Sequence, residues 1–443
     1  MPEFFPENNT ALKTDTEVRS LQKIVSAVED LSNPFSSGNI IGSFPTDAFG
    51  RLKVAEPFTL FDSSHRYRDN GLWSTYTSGT ASATFNLSQG LVDLTIGSTN
   101  GDEVLRETTK VFSYQPGKSL LVMNTFVMND AKTNLRQRIG YYGDDNGIYV
   151  ELYGNALSLV ERSLVTGVVT ETSVAQADWN GDKLDGTGLS GLTLDMSKAQ
   201  IFWMDIEWLG IGTVRAGFVI NGKLIVCHSF HHANLIISTY ITTASLPLRY
   251  EIKNIGTPSP ATSSTLKQVC STVISDGGYQ LAGAQQAIGT PVASPRTLTT
   301  ASTYYPIISL RLKASPDRLD SIVILTAASI LPLSSAGNPN HNWQIVATGT
   351  TTGGTWTSAG TESAVEYNIT GTSFSGGRIL ASGFLGTSNQ SSAGVDILKE
   401  ALFKSQLERN GITGTPFELT LVVAASANNA SVLASLDWEE ISR

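Results

Sequence analysis

Residues 201–230 constrain the fold more than any other part of the chain. The run IFWMDIEWLG, Ile201 to Gly210, puts Phe202, Met204, Ile206 and Trp208 on one side and Asp205 and Glu207 on the other. That two-residue period belongs to a half-buried strand. The next residues set two apolar arms, Val214 to Ile220 and Lys223 to Phe230, on either side of Asn221-Gly222. An Asn-Gly pair between such arms predicts a tight hairpin, because both residues tolerate positive φ. Three adjacent antiparallel strands follow, the middle of a β-sandwich.

The rest of the chain carries the same grammar. Charged residues make up only 16% of the 443, glycine alone numbers 40, and apolar residues reach 41%. This balance favours strands and tight turns around real cores, and the length suits two domains. Strands are predicted at Ser119 to Met128, Leu135 to Tyr142, Ile148 to Tyr153 and Ala156 to Arg162, with turns at 143–147 and at Gly154-Asn155. A second set runs from Pro306 to Ala314, Ser321 to Leu331, Pro416 to Ser426 and Val432 to Ile441. Two helices are predicted. One spans 14–32, with Val18, Leu21, Ile24, Val25 and Val28 on one stripe and a capping pair at Thr14 and Glu17. The other spans Val395 to Arg409 and stops at Asn410-Gly411. The expected fold class is therefore all-β, two β-sandwich or jelly-roll domains with a short N-terminal helix. The expected boundaries are 1–43 for that helix and its linker, 44–256 for the first sandwich, 257–304 for a Ser/Thr/Pro-rich linker that opens with a terminal strand or two, and 305–443 for the second.

Charge and hydropathy exclude several function classes. A net charge of −9 without a basic run disfavours nucleic acid, whose phosphates need clustered Lys and Arg. No apolar window reaches the roughly 18 residues of a membrane helix, so no membrane insertion is expected. Residues 1–10 lack the basic and apolar regions of a signal peptide. The two cysteines, Cys227 and Cys270, are expected as thiols rather than a disulfide framework.

The block PTDAFGRLKVAEPFTLFDSSHRY, Pro45 to Tyr67, reads DAFGRL-x-V-x-x-P-x-TLFD-S. With DNGLWST, GDEVLRETTKVFSYQPGKSLLV, DIEWLGIGTVRAGFVINGKLIVCHSFHHAN and LPLRYEI it resembles a group of virion structural proteins of tailed phages of marine and cyanobacterial hosts. The resemblance covers about residues 45–255 and implies a fibre-like virion component assembled in the host cytoplasm. Other virion proteins of head, collar or tail would be its partners. It supplies no catalytic residues. The helix stripe then reads as a coiled-coil plug holding a homotrimer. A capsid decoration protein is the alternative role.

His228, His231 and His232 beside Cys227 suggest zinc, yet strand alternation keeps four such ligands from converging. Asp178, Asn180 and Asp182 begin like a calcium loop, but Lys183 and Leu189 stand where a Gly and a bidentate Glu are needed. No cofactor is expected. Paired carboxylates, Asp205 with Glu207 or Asp144 with Asp145, are the only glycosidase-like signal, and no nucleophile elbow, zincin motif or phosphate loop is present. The chain is accordingly expected not to be an enzyme. Trp73, Tyr76, Trp179, Trp343 and Trp356, near Gly/Ser/Thr-rich loops, are candidates for stacking on a host glycan.

Overall fold

The computed structural model describes residues 56–258, 260–280, 282–333, 338–387, 393–395 and 406–441. The predicted helix 14–32, with Val18, Leu21, Ile24, Val25 and Val28, lies outside the described residues. Asn221 and Gly222 take φ of 53° and 74°, so both occupy the left-handed region that the hairpin requires. They join Val214–Ile220 to Lys223–Phe230, and Gln200–Ile206 pairs with the first of these. Phe202, Met204, Ile206 and Phe218 enter the core, with the Phe202 and Phe218 rings 5.4 Å apart. Asp205 faces the other way and pairs with Arg215 across the strands.

This hairpin forms one edge of an eight-stranded antiparallel sheet. The sheet continues through Ser119–Val127, Ser264–Asp276, Leu91–Ile96 and Ser82–Asn86, and Pro57–Ser64 also pairs with Ser264–Asp276. A second sheet of seven runs Thr170–Ala175, Ala156–Ser163, Gly147–Tyr153, Leu135–Tyr142, Leu248–Asn254, Glu103–Thr108 and Trp73–Ser78. One apolar cluster lies between them, drawing Val122, Phe126 and Leu266 from the first and Ile139, Val150 and Tyr250 from the second. The described C-terminal residues repeat the plan with a five-stranded and a seven-stranded sheet around Ile308, Ile345, Leu421, Leu436 and Trp438. Among the described residues there is no α-helix, only the short 3-10 turn Gln176–Asp178.

Two expectations are corrected. Residues 257–304 do not run as an extended linker. Ser264–Asp276 is a central strand, and Ala284–Gly289 and Arg296–Leu298 pair with Ala430–Ile441. The central strand hid because half its inward face is small and polar. Ser264, Ser271 and Ser275 are buried between Leu266 and Val273. Ser271 is satisfied by donating to Asn124 Oδ1 at 3.0 Å and by the Tyr250 hydroxyl at 2.8 Å. Buried hydroxyls of this kind keep the two-residue period but erase its hydrophobic amplitude. The second correction concerns the predicted helix from Val395 to Arg409. Its first residue ends the strand Ala393–Val395, and its last begins the strand Arg409–Asn410. Residues 396–405 lie outside the described residues. Asn410 makes a turn instead of a cap, its Oδ1 accepting the N–H of Ile412 at 3.1 Å.

The two sandwiches meet without an intervening linker inside the unit Pro57–Arg443. Ile322, Ile324 and Ile441 belong to the first apolar cluster although their strands build the second sandwich. Arg409 donates its backbone N–H to Thr109 O at 2.8 Å and its Nη1 to Glu107 Oε1 at 2.6 Å. Arg249, on the strand beside Glu107, binds the other carboxylate oxygen. Side chains of Glu107, Arg249 and Arg409 are 1%, 6% and 4% exposed, so this is a buried ion cluster. Glu107→Gln is expected to lower stability by about 3–5 kcal/mol, since it leaves two arginines under-compensated out of water. Lys198→Ala, which breaks an exposed pair with Asp195, is expected to leave stability close to that of wild type, because solvent screens such a pair. Urea unfolding of both variants against wild type checks the contrast.

Candidate functional site: a groove at the end of the first sheet

The tryptophans proposed for stacking are mostly core residues, which corrects that reading. Trp73 is buried with its Nε1 donating to Ser63 Oγ at 2.8 Å, between Phe61 and Tyr250. Trp179 is buried and donates to Val174 O at 3.1 Å. Trp343 packs in the second core against Gly383, where any Cβ would strike its ring at 2.8 Å. Trp356 is half-buried beneath Arg311, 4.0 Å from its ring centre. Only Tyr76, opposite Leu105 on the outer face of the second sheet, stays exposed at 43%. Trp and Tyr near Gly-rich loops mark the ends of strands, and here those ends turn inward.

The metal-like clusters also resolve into structure. Asp182 is buried and accepts the N–H of Leu184 at 2.9 Å and of Ser190 at 2.6 Å. Burial pushes its carboxyl up, but these hydrogen bonds outweigh it and hold the carboxyl below its ordinary value. Asn180 pairs with the backbone of Ser229, and Asp178 does not join either residue at a common point. His228 accepts the Asn180 N–H at 3.3 Å, whereas His232 pairs with Glu161 at 2.8 Å and stacks on Tyr240 at 4.0 Å. Among the described residues no group of three His, Cys, Asp or Glu could hold a metal ion. Both cysteines are free thiols. Asp144 is tied to Arg249 at 2.6 Å.

Asp205 and Glu207 are placed differently from the other candidates. Their strand ends at Ile206, and the chain turns at Leu209 and Gly210, whose φ values are 40° and 80°. Trp208 O accepts the N–H of Ile211 at 2.9 Å and of Gly212 at 2.6 Å, which fixes the turn. The turn swings Trp208 against Tyr114, ring centres 6.2 Å apart and edge to face. Tyr114 stands between two adjoining cavities. One, of about 480 Å³, is lined by Asp205, Glu207, Arg215, Asp276, Thr213 and Lys118. The other, of about 360 Å³, is lined by Trp208, Gln115, Gln280 and Lys118 among others, with a mainly apolar surface.

The groove is built to present polar atoms. Gln115 Oε1 accepts Lys118 Nζ at 3.0 Å and the Gln280 N–H at 3.0 Å, and Lys118 also donates to Gly278 O at 3.1 Å. The loop 114–118 is thereby pinned to the turn after Ser264–Asp276. Partial burial, and then the neighbouring charge of Asp205, push the Asp276 carboxyl above its ordinary value. The Trp208 indole N–H is shut off from solvent without a hydrogen-bond partner, and the buried Tyr114 hydroxyl oxygen is held by the backbone of Gly117 and Trp208. Such orphan groups are rare in folded proteins and call for an explanation. The sequence pairs Asp205 with Glu207, but Tyr114, Gln115 and Gln280 lie far off in the chain. Trp208 reads as one more inward residue of its strand. The Leu-Gly pair following it is the signal that the alternation stops there.

No protein-family model matches the chain, and no curated protein matches it. Solved structures do. A Bacillus licheniformis β-glucanase is similar at a TM-score of 0.33 and 13% identity, over 48% of this chain and 96% of its own. The carbohydrate recognition domain of Emp47p gives 0.32 and 11%, over 53% and 100%. The transglycosylase Crh5 gives 0.32 and 15%, over 51% and 90%. The expectation that the chain is not an enzyme is corrected on this finding, since a glucanase and a transglycosylase stand among the similar structures. Likeness at these scores assigns no activity.

His232 supplies a pH signature beside this region. Burial lowers its pKa, but the hydrogen bonds to Glu161 and to Gly212 O, with the charge of Glu161, outweigh that and leave it raised. A raised imidazole pKa stabilises the fold fully below the unfolded value of about 6.5, and the gain is lost as pH rises through the folded value. The melting-temperature gap between wild type and Glu161→Gln is therefore expected to be largest near pH 6 and to shrink towards pH 9. Thermal melts across that range check it.

Proposed function

We propose that this chain is a structural component of a tailed-phage virion whose first sandwich holds a host-surface glycan in the groove around Tyr114 and Trp208. The virion role rests on the resemblance of the block from Pro45 to Tyr67 and of the later stretches. The two β-sandwiches would project from the particle, and the segment 14–32 would join three copies to each other and to head, collar or tail. The glycan role rests on one observation: the Trp208 indole, a buried donor without a partner, and the Tyr114 ring packed edge to face on it border two adjoining cavities lined by carboxylates and amides. Sugars match that chemistry, offering hydroxyls to planar polar groups and a C–H face to aromatic rings. Three copies on one stalk would multiply a weak single-site affinity.

A second reading of the same groove is glycan cleavage. Asp205, Glu207 and Asp276 face one cavity, and Asp276 keeps its proton to higher pH than an ordinary carboxyl, as a general acid must. Reducing-end release from host polysaccharide that disappears in Asp276→Asn supports cleavage. Binding without release leaves adhesion as the function.

The full chain on an array of host-surface glycans is expected to retain at least one, with Trp208→Ala weakening it by about tenfold, roughly 1.4 kcal/mol. No retained glycan, or unchanged affinity in a folded Trp208→Ala, overturns the glycan role. Changing Leu21 and Val25 to Asp is expected to give monomers in light scattering with an unaltered β-sheet signal. Retained trimers would move the subunit contact to the sandwiches.

A further inference from the structure

One of the described buried or half-buried arginines stands apart from the rest. Among the described residues, each buried or half-buried arginine other than Arg296 has a carboxylate partner. Arg106 has Asp69, Arg138 has Glu151, Arg249 and Arg409 share Glu107, and Arg311 and Arg378 have Glu366 and Glu408. Arg136 and Arg162 have Glu251 and Glu171. Arg296 is half-buried, and no described carboxylate lies within 4.0 Å of it. It sits at the start of the strand Arg296–Leu298, on the wall of a cavity of about 480 Å³.

Its guanidinium is held and only partly used. Nη2 donates to the carbonyl of Gly371, which anchors the fork against the neighbouring turn. Nε is shut off from solvent and has no partner. Burial pulls the pKa of Arg296 below its ordinary value, and only the charge of Tyr305 opposes this. The cavity around it carries hydroxyls and no acid: Ser294, Thr297, Thr299, Tyr305, Thr370 and Thr372. Tyr305 is itself fixed by Thr299 at 2.7 Å and by the Thr300 N–H at 3.1 Å. Removing a cation from water is costly unless an anion answers it, and a guanidinium answers planar oxyanions with two parallel hydrogen bonds.

We propose that Arg296, with the hydroxyl groups around it, forms a binding site for an oxyanion, carried as the carboxylate of an acidic sugar or supplied as free sulfate or phosphate. The Nη1 N–H bonds and the second N–H of Nη2 are the donors left for the anion, and Ser294 and Thr297 add hydroxyls from the rim. The site is separate from the Tyr114–Trp208 groove and shares no lining residue with it. It stands whether or not that groove takes a glycan.

The test is titration of the full chain with sodium glucuronate, sodium sulfate, sodium phosphate and uncharged glucose. It is read by calorimetry and by the Arg296 Nε–H nuclear resonance, assigned through its loss in Arg296→Gln. Glucuronate alone binding identifies a sugar carboxylate, sulfate or phosphate alone identifies a free inorganic anion, and all three binding shows a general oxyanion site. Each supports the proposal. Arg296→Gln is expected to weaken the bound anion by about tenfold or more, since it removes a charge-assisted pair. Arg296→Lys, which keeps the charge and loses the fork, is expected to fall between the two. If Arg296→Gln does not fold, the wild-type titration and Arg296→Lys decide. Anions that bind no better than glucose and leave the Nε–H resonance unmoved, or variants that bind as wild type does, overturn it.

Discussion

One carboxylate holds the two halves of this protein to a common frame. Glu107 takes a guanidinium on each oxygen, Arg249 from its own sheet and Arg409 from the C-terminal half. Two cations on one anion leave an excess positive charge. Asp144 and Asp320 absorb it at the solvent edge, pairing with Arg249 at 2.6 Å and Arg409 at 3.2 Å. The inner part of the cluster is dry and the outer part wet, so the charges are compensated without sealing all three acids out of water. Buried pairs of this kind add little net stability but make every alternative docking expensive. The apolar contribution runs alongside, through Ile322, Ile324 and Ile441 in the first core. The sandwiches therefore cannot tilt against each other without exposing apolar surface and stranding charge together.

That frame was only half legible in the sequence. Strands announced by alternation and a turn fell where expected: Leu135–Tyr142 matches its predicted span, and the Asn221-Gly222 hairpin matches to the residue. Strands with mixed inward faces are harder to place. Ser264–Asp276 buries serines, and Arg296–Leu298 is too short to show a period. Both occur in 257–304, where the sequence predicts a terminal strand or two without a position and then an extended linker, because large apolar residues are scarce there. A buried hydroxyl with a partner satisfies the same packing need as a methyl group, and a composition argument cannot see the partner.

The candidate site was legible in a narrower sense. Asp205 and Glu207 stood out as alternating carboxylates, and they do line a cavity. The aromatic candidates failed for a physical reason. A tryptophan carries so much apolar area that it is drawn into whatever core is near, and its single N–H is easily met by a backbone carbonyl. Trp179 found the Val174 carbonyl, and Trp73 found the Ser63 hydroxyl. The Trp208 N–H has no acceptor where the chain turns at Leu209 and Gly210, and the buried Trp203 N–H within the preceding strand has none either. Trp208 differs from Trp203 in bordering a cavity.

The charge pattern leads to the same places. On the outer face of the second sheet the ions close on one another: Glu103 with Lys253, Arg136 with Glu251, Arg138 with Glu151, and Arg162 with Glu171. A face so matched has a weak outward field and little to offer a charged partner. The chain has 30 basic against 39 acidic residues, so cations are the scarcer sign, and most buried ones are taken by internal acids. Where pairing is left incomplete, the field and the unmet hydrogen bonds survive to the surface. The groove beside Tyr114 holds the unpartnered Trp208 N–H near acids, and the cavity of Arg296 holds a cation without a carboxylate among hydroxyls. The two deficits differ in charge, so the proposed ligands differ: a neutral polyol for the first and an oxyanion for the second.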